Sequence, residues 1–184
     1  MKPTEQLTEE HNSIKLMLKI MSNVCDKLEA GEKVEPEHLH QVIEFIKVFA
    51  DKCHHGKEED LLFQAMIEMG FPRDAGPIGV MLYEHDMGRD YVKKMSDAAI
   101  LYGKGDETAS STIVENARNY ISLLTQHIDK EDHILYPMAD GQLTEEKQRE
   151  LLDKFEIVNR DQIGQDKIDE MHGILNRLKE IYPV

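Results

Sequence analysis

Tryptophan is absent from this chain of 184 residues, and Phe and Tyr together supply only 6% of it. Cysteine occurs twice, as Cys25 and Cys53, which excludes a disulfide framework and suits a reducing compartment. Long apolar runs are also missing, and nothing approaches the ~20 residues of a membrane span. The opening residues Met1-Lys2-Pro3-Thr4-Glu5-Gln6 hold no apolar core of a secretory signal, so the expected location is cytoplasmic. Basic residues are outnumbered, 22 Lys+Arg against 36 Asp+Glu, and the formal net charge of -14 turns away nucleic acid and anionic membranes. No strand pattern, phosphate loop, Ser-His-Asp set or paired-thiol motif is found.

What is present is helical periodicity over a length that fits one domain, or one with a small appendage. Hydrophobic residues at 40% are enough for a continuous core, and ten Met can fill its irregular gaps. His11, Ile14, Leu18, Met21, Cys25 and Leu28 keep a three-four spacing that predicts a first helix over 7–30, stopped by Gly31. Pro36 restarts the chain for a second helix to Met69, with Val42, Ile46, His54, Glu58, Leu61 and Ala65 on one stripe. After a breaker-rich connection a third helix is expected over 78–102. A fourth, over 106–138, carries Ile113, Ala117, Tyr120, Leu124, His127, Glu131, Ile134 and Met138. The tail reads as helical again, broken near 159–164. The expected fold is all-α: an antiparallel up-down four-helix bundle of two helical hairpins over 1–141, with a C-terminal helical extension, 142–184, packed on its outside.

Nine histidines are the unusual feature, and four of them fall into an internal repeat. Glu10-His11 returns as Glu84-His85, and His54-x-x-x-Glu58 returns as His127-x-x-x-Glu131. Residues four apart share a helix face, so each second copy presents an imidazole and a carboxylate together. His11 lies about 19 residues before its turn and His54 about 18 after it; at 1.5 Å per residue both stand roughly 28 Å from the turn. The second hairpin repeats that measure with His85 and His127, so all four histidines meet at one depth. They share stripes with apolar residues, and charged groups turned inward there need compensation, which a metal supplies. The same measure separates Cys25 from Cys53 by near 18 Å along the bundle, beyond the about 7 Å between Cα atoms that a disulfide spans.

Four imidazoles and two carboxylates exceed one tetrahedral ion and suit two. Mixed N/O ligation with open positions favours iron, with manganese or zinc as alternatives. With Glu10-His11, His54-x-x-x-Glu58 before Leu61-Leu62-Phe63, Glu84-His85, and His127-x-x-x-Glu131 before Leu135-Tyr136-Pro137, residues 1 to about 140 resemble the hemerythrin-like, HHE cation-binding family. The resemblance implies a non-haem di-iron centre, bridged by carboxylate and oxo or hydroxo groups, that meets O2, NO or peroxide in oxygen binding, sensing, or stress and iron-sulfur repair. The expected ligands are His11, His54, Glu58, His85, His127 and Glu131. The respiratory carriers of the family place a second His one turn after the third-helix ligand; Arg89 stands there here, so His55, His172 or a solvent oxygen is left to replace it. Asp132 is the alternative to Glu131, which is preferred because it repeats Glu58. His55 with Glu59 forms another register, set aside because the repeat pairs His55 with Ile128.

His133 is expected to be exposed, Lys57 and Lys130 to lie on solvated faces, and Tyr83, Tyr91, Tyr120 and Tyr136 to belong mostly to the core, with one of them able to hydrogen-bond a ligand or a bound oxygen species. The favoured function is binding or sensing of a small diatomic gas. An enzyme acting on peroxide or NO is the main rival, and metal storage or a structural zinc site is the third class.

Overall fold

The computed structural model describes all 184 residues, and every regular element in it is helical. Helix α1 spans Pro3–Glu29, with Pro3 in the first turn, where a missing N–H costs nothing. It stops at Gly31, whose φ of 74° lets the N–H of Glu32 fold back onto the carbonyl of Lys27 at 2.9 Å. Helix α2 runs without a break over 36–68, α3 is Gly76–Gly103, and α4 covers 109–142. The tail forms α5 over 145–163 and α6 at Gln165–Ile181, hinged at Gly164 with φ 90°.

Helices α2 and α4 are not uniform. Wide π-type turns occupy Ile46–His55 and Glu58–Leu62 in α2, and Glu131–Leu135 in α4. There the N–H groups of Gly56, Phe63 and Tyr136 reach back five residues, to Asp51, Glu58 and Glu131. Each wide turn shifts the phase of the buried stripe. Leu62 and Leu135 are therefore fully buried where the regular spacing predicts Leu61 and Ile134, and Ile134 and Met138 lie exposed.

The apolar interior consists of two clusters. The larger joins Ile14 to Leu28 of α1 with the first half of α2, Val92 to Ala98 of α3 and Ala109 to Ile128 of α4. The smaller joins Leu7, Leu62, Phe63, Met66, Ile78, Met81, Leu135 and Tyr136. On each of the four long helices, the histidine position falls between residues of one cluster and residues of the other. A polar layer thus crosses the interior between two dry ones, each of whose buried aliphatic side chains contributes about 1.5–3 kcal/mol.

The tail does more than cover a finished bundle. Leu151 and Phe155 belong to the smaller cluster, while Met171, Ile174, Leu175 and Leu178 belong to the larger. Tyr83 departs from its expected place in the core and is 66% exposed. It lies two residues from both Met81 and His85, on the opposite side of α3.

Candidate metal centre

The polar layer holds five imidazoles and two carboxylates, all buried: His11 from α1, His54, His55 and Glu58 from α2, His85 from α3, and His127 and Glu131 from α4. Ring centroids of His11 and His54 are 4.6 Å apart, those of His85 and His127 4.7 Å, and those of His55 and His85 3.9 Å. The donor atoms form two sets, each gathered within 4.8 Å. The first half-site is His11, His54, Glu58 and Glu131; the second is His55, Glu58, His85 and His127. Glu58 is common to both. Glu131 also reaches across, with Oε2 at 3.2 Å from His11 Nε2 and Oε1 at 3.1 Å from His127 Nε2.

The six residues expected from the sequence are all brought together, and His55 joins them. In a regular α-helix, neighbouring residues point too far apart for His54 and His55 to enter one site. The wide turn at Ile46–His55 takes more residues to complete a circuit, so successive side chains diverge less and both rings face inward. His55 thereby supplies the third-helix imidazole that Arg89 does not. His172 instead meets the edge of Phe49 at 5.2 Å, away from the layer, and His133 is 73% exposed.

An outer ring of acids fixes each imidazole by its far nitrogen, leaving Nε2 to face the interior. Nδ1 of His54 donates to Glu10 at 3.0 Å, that of His11 to Asp132 at 2.7 Å, and that of His85 to Glu59 at 2.7 Å. Nδ1 of His127 donates to Glu84 at 2.8 Å and that of His55 to Asp51 at 3.3 Å. Asp132 is thus a support for His11 and belongs to neither donor set. A cation stands behind every acid in turn: Lys57 on Glu10, Lys15 on Asp132, Lys130 on Glu84, and Arg89 on both Asp51 and Glu59. Lys57 is not on a solvated face; it is 0% exposed, hydrogen-bonded to Glu10 and Asn159, and 5.7 Å from the ring centroid of Phe155.

Four buried atoms in this layer find no hydrogen-bond partner: His54 Nε2, Glu58 Oε2 and both oxygens of Glu131. Orphaned acceptors at such depth cost about 1–3 kcal/mol each, more when charged. They converge on the two donor sets, so the residues present fit two cations. Protons serve in their absence. Burial would lower an imidazole, but the hydrogen bond to Asp132 and the carboxylate of Glu131 beside the ring outweigh it and raise His11 to about 9. In the same way Glu131 and Glu84 raise His127 to about 10. Burial and the neighbouring imidazoles hold His55 well below 6.5 instead. Burial would raise Glu131, yet the charge on His127 and the nearby imidazoles of His11 and His127 keep it well below 4.5.

The two halves differ in access. A cavity of 340 Å³ runs from exposed Lys93 and Asp97 to His55, His85 and His127, with Arg89 in its wall. The first half-site is closed by Tyr136, whose hydroxyl donates to Glu58 Oε1 at 2.5 Å and lies 3.3 Å from His11 Nε2. The outer acids escaped the sequence reading, although the signal was there. Glu10 and Glu84 precede their histidines in both copies, and Glu59 and Asp132 follow their glutamates.

A family model described as the hemerythrin HHE cation binding domain matches residues 2–139. Uncharacterized proteins of Mycobacterium bovis and of two Mycobacterium tuberculosis strains are each 22% identical over 161 residues, or 88% of this chain. The chain spans 62% of the length of those relatives. No solved structure matches it. No helix is long and apolar enough to cross a membrane.

Proposed function

Because the chain belongs to the hemerythrin HHE cation binding domain family, we propose that its site holds two iron ions and binds or senses O2 or NO. Membership carries cation binding, and iron is the cation typical of the family. The observation behind the di-iron reading is the pair of four-donor sets sharing Glu58, with unpartnered buried atoms aimed into them. Nitrogen-rich, mixed N/O ligation suits iron better than calcium or magnesium, with manganese and zinc as the competitors. When bound, the iron supplies the electrons that O2 or NO takes up. The chain's own residues would orient five imidazoles through acids, keep the first half-site closed between two apolar clusters, and offer Glu58 to both donor sets.

On this reading, residues 1–141 form an antiparallel up-down four-helix bundle and 142–184 an extension packed on it, in the cytoplasm. The two buried, unpaired cysteines are consistent with such a reducing compartment. One observation favours a second reading. The cavity at the second half-site, 340 Å³ in volume, exceeds what a diatomic gas needs, so turnover of peroxide or NO in a stress or iron-sulfur repair role is the rival.

Metal analysis of aerobically purified protein tests the proposal. Two irons per chain are expected, with a near-ultraviolet oxo-iron absorption and loss of iron in His54→Ala with His127→Ala. Zinc alone, or unchanged iron in that variant, overturns it. Spectra that cycle as O2 is added and removed then favour binding, and sustained gas release from peroxide favours turnover.

A further inference from the structure

The cavity beside the second half-site is larger than a diatomic gas requires, and three local features shape it. On one wall, the wide turn of α2 brings Ile46 and His55 to its surface. On the next, α3 presents Gly88 and Val92. Gly88 offers bare backbone there, since a Cβ would stand 3.4 Å from Cε2 of Tyr120. Tyr120, Leu123 and Leu124 of α4 close the third side. An apolar cavity of about 150 Å³ takes up benzene, so 340 Å³ has room for a two-ring molecule.

The charged groups around this space are already matched with one another. Arg89 gives its Nε to Asp51 at 2.9 Å and its two terminal nitrogens to Asp86 at 3.1 Å and Glu59 at 2.6 Å. Glu84 is taken by His127 and Lys130, and Lys93 pairs with Asp97 at the mouth. An anion lodged inside would find no free cation, and burying it unpaired would be costly. One polar group is left over. Tyr120 is 2% exposed, and its hydroxyl takes part in no hydrogen bond within the chain; the charges that act on it are those of Asp51 and Arg89. The side-chain atoms fully enclosed without a partner belong to His54, Glu58 and Glu131. The Tyr120 oxygen is therefore not sealed in the core, and it opens onto the cavity that its ring lines. A phenol there has one proton to donate and nothing in the chain to receive it.

We propose that this cavity binds a neutral organic molecule with an apolar body of one or two rings and a single acceptor oxygen, which receives the hydrogen bond of Tyr120. The body packs on Ile46, Val92, Leu123 and Leu124, and the matched charges at the inner end and the mouth select against a charged guest. Mostly apolar walls with one or two placed polar groups are the usual make-up of a small-molecule site. The guest lies against the imidazoles of the second half-site without serving as one of their partners, so it is an organic companion to the polar layer and distinct from any gas bound there.

Three probes of similar size test this by equilibrium dialysis against the full chain as purified: tetralone, a neutral ketone; tetralin, which lacks the oxygen; and naphthoate, which adds a charge. Tetralone is expected to bind most tightly and naphthoate at least about 10-fold more weakly. Val92→Phe and Leu123→Phe fill the cavity from opposite walls and should abolish binding of tetralone; Leu123 is only partly buried, so its variant keeps the fold. Tyr120→Phe should weaken tetralone by about 3- to 10-fold, the value of one neutral hydrogen bond, and leave tetralin unchanged. The proposal is overturned by a wild type that takes up no tetralone, by undiminished binding in both filled variants, or by an equal loss of tetralone and tetralin in Tyr120→Phe. Tighter binding of naphthoate than of tetralone overturns it too, since the site would then be one for anions. Metal content, measured on the same samples, separates this test from the di-iron reading: a protein holding zinc alone defeats that reading and leaves the order of the three probes to decide this one.

Discussion

Two lysines at matching places in the repeat, Lys57 and Lys130, show how one motif is put to different use in the two halves of the site. Each pairs with the acid that orients a histidine, Glu10 for His54 and Glu84 for His127. Lys15 and Arg89 form the second matched pair, behind Asp132 and Glu59. The inner donors and their supports thus repeat almost fully, but the surroundings do not. Lys57 is sealed under the tail by Asn159 and Phe155, whereas the side chain of Lys130 is 34% exposed. The half-site behind Lys57 is closed, and the other borders a cavity. Duplication accounts for the inner donors; the unduplicated tail decides which half meets solvent.

The largest effect is expected where the comparison collapses, at the carboxylate both halves share. Glu58→Ala takes a donor from each set at once, and both ions should be lost. Metal content per chain should fall from about two toward none, since even indirect supports of a ligand are worth about 10–100-fold in affinity. Elemental analysis after competition with a chelator reads this directly. Retention of one tightly held ion would show that the halves are independent and that Glu58 does not serve both.

Next in size is the pair of lysines. In metal-depleted protein, Lys57→Met removes one partner of a buried ion pair and leaves Glu10 with the His54 hydrogen bond alone, at a cost of up to about 3–5 kcal/mol. Lys130→Met breaks a pair open to solvent, which is worth at most about 1 kcal/mol. Urea titrations of the two variants should separate them clearly. Equal midpoints would mean that the tail does not seal the first half.

This contrast also marks where the sequence stops being legible. The helices and their turns could be read because Gly31, Pro36 and the three-four spacing act locally; α1 was expected over 7–30 and spans Pro3–Glu29. The repeat and its histidines were legible because they are written in residues of distinctive chemistry. His55 was hidden because its entry depends on a wide turn, which redirects side chains without any signature in composition. The exchange of Leu61 for Leu62 and of Ile134 for Leu135 has the same cause, as adjacent apolar residues in each copy offer both phases. Lys57 was misjudged for a different reason. The residues that bury it, Phe155 and Asn159, lie about a hundred positions later and bear no pattern that links them to it.

Smaller effects should sharpen the comparison by touching one half at a time. Glu10→Gln loosens His54 and Glu84→Gln loosens His127, and each should weaken the ion of its own half by about 10–100-fold. His55→Ile gives the second half the residue that the repeat carries at Ile128, reducing its imidazoles from three to the two of the first. Stepwise metal titration followed calorimetrically should then show the two binding steps drawing together. If all three variants shift both steps alike, the two sets act as one cooperative site.

The least effect, and the most specific, is on the pH dependence of metal-depleted protein. His11 and His127, raised to about 9 and about 10, contribute stability that is complete below the ordinary imidazole value of 6.5 and is lost as pH rises through 9 to 10. His55 is shifted the other way, so its contribution is present above 6.5 and is lost as pH falls below that value. The carboxyls of Glu10, Asp51 and Asp132 are held near about 2, despite burial, by their histidine and cation partners. Their contributions are present above the ordinary carboxylate range and fade only in stronger acid, so between about pH 5 and 6.5 the losing residue is His55. Urea midpoints should decline on both sides of neutrality, and His55→Ile should remove the decline between pH 6.5 and 5 while leaving the alkaline one. The first half-site has no counterpart to that acid limb, because Ile128 carries nothing to titrate.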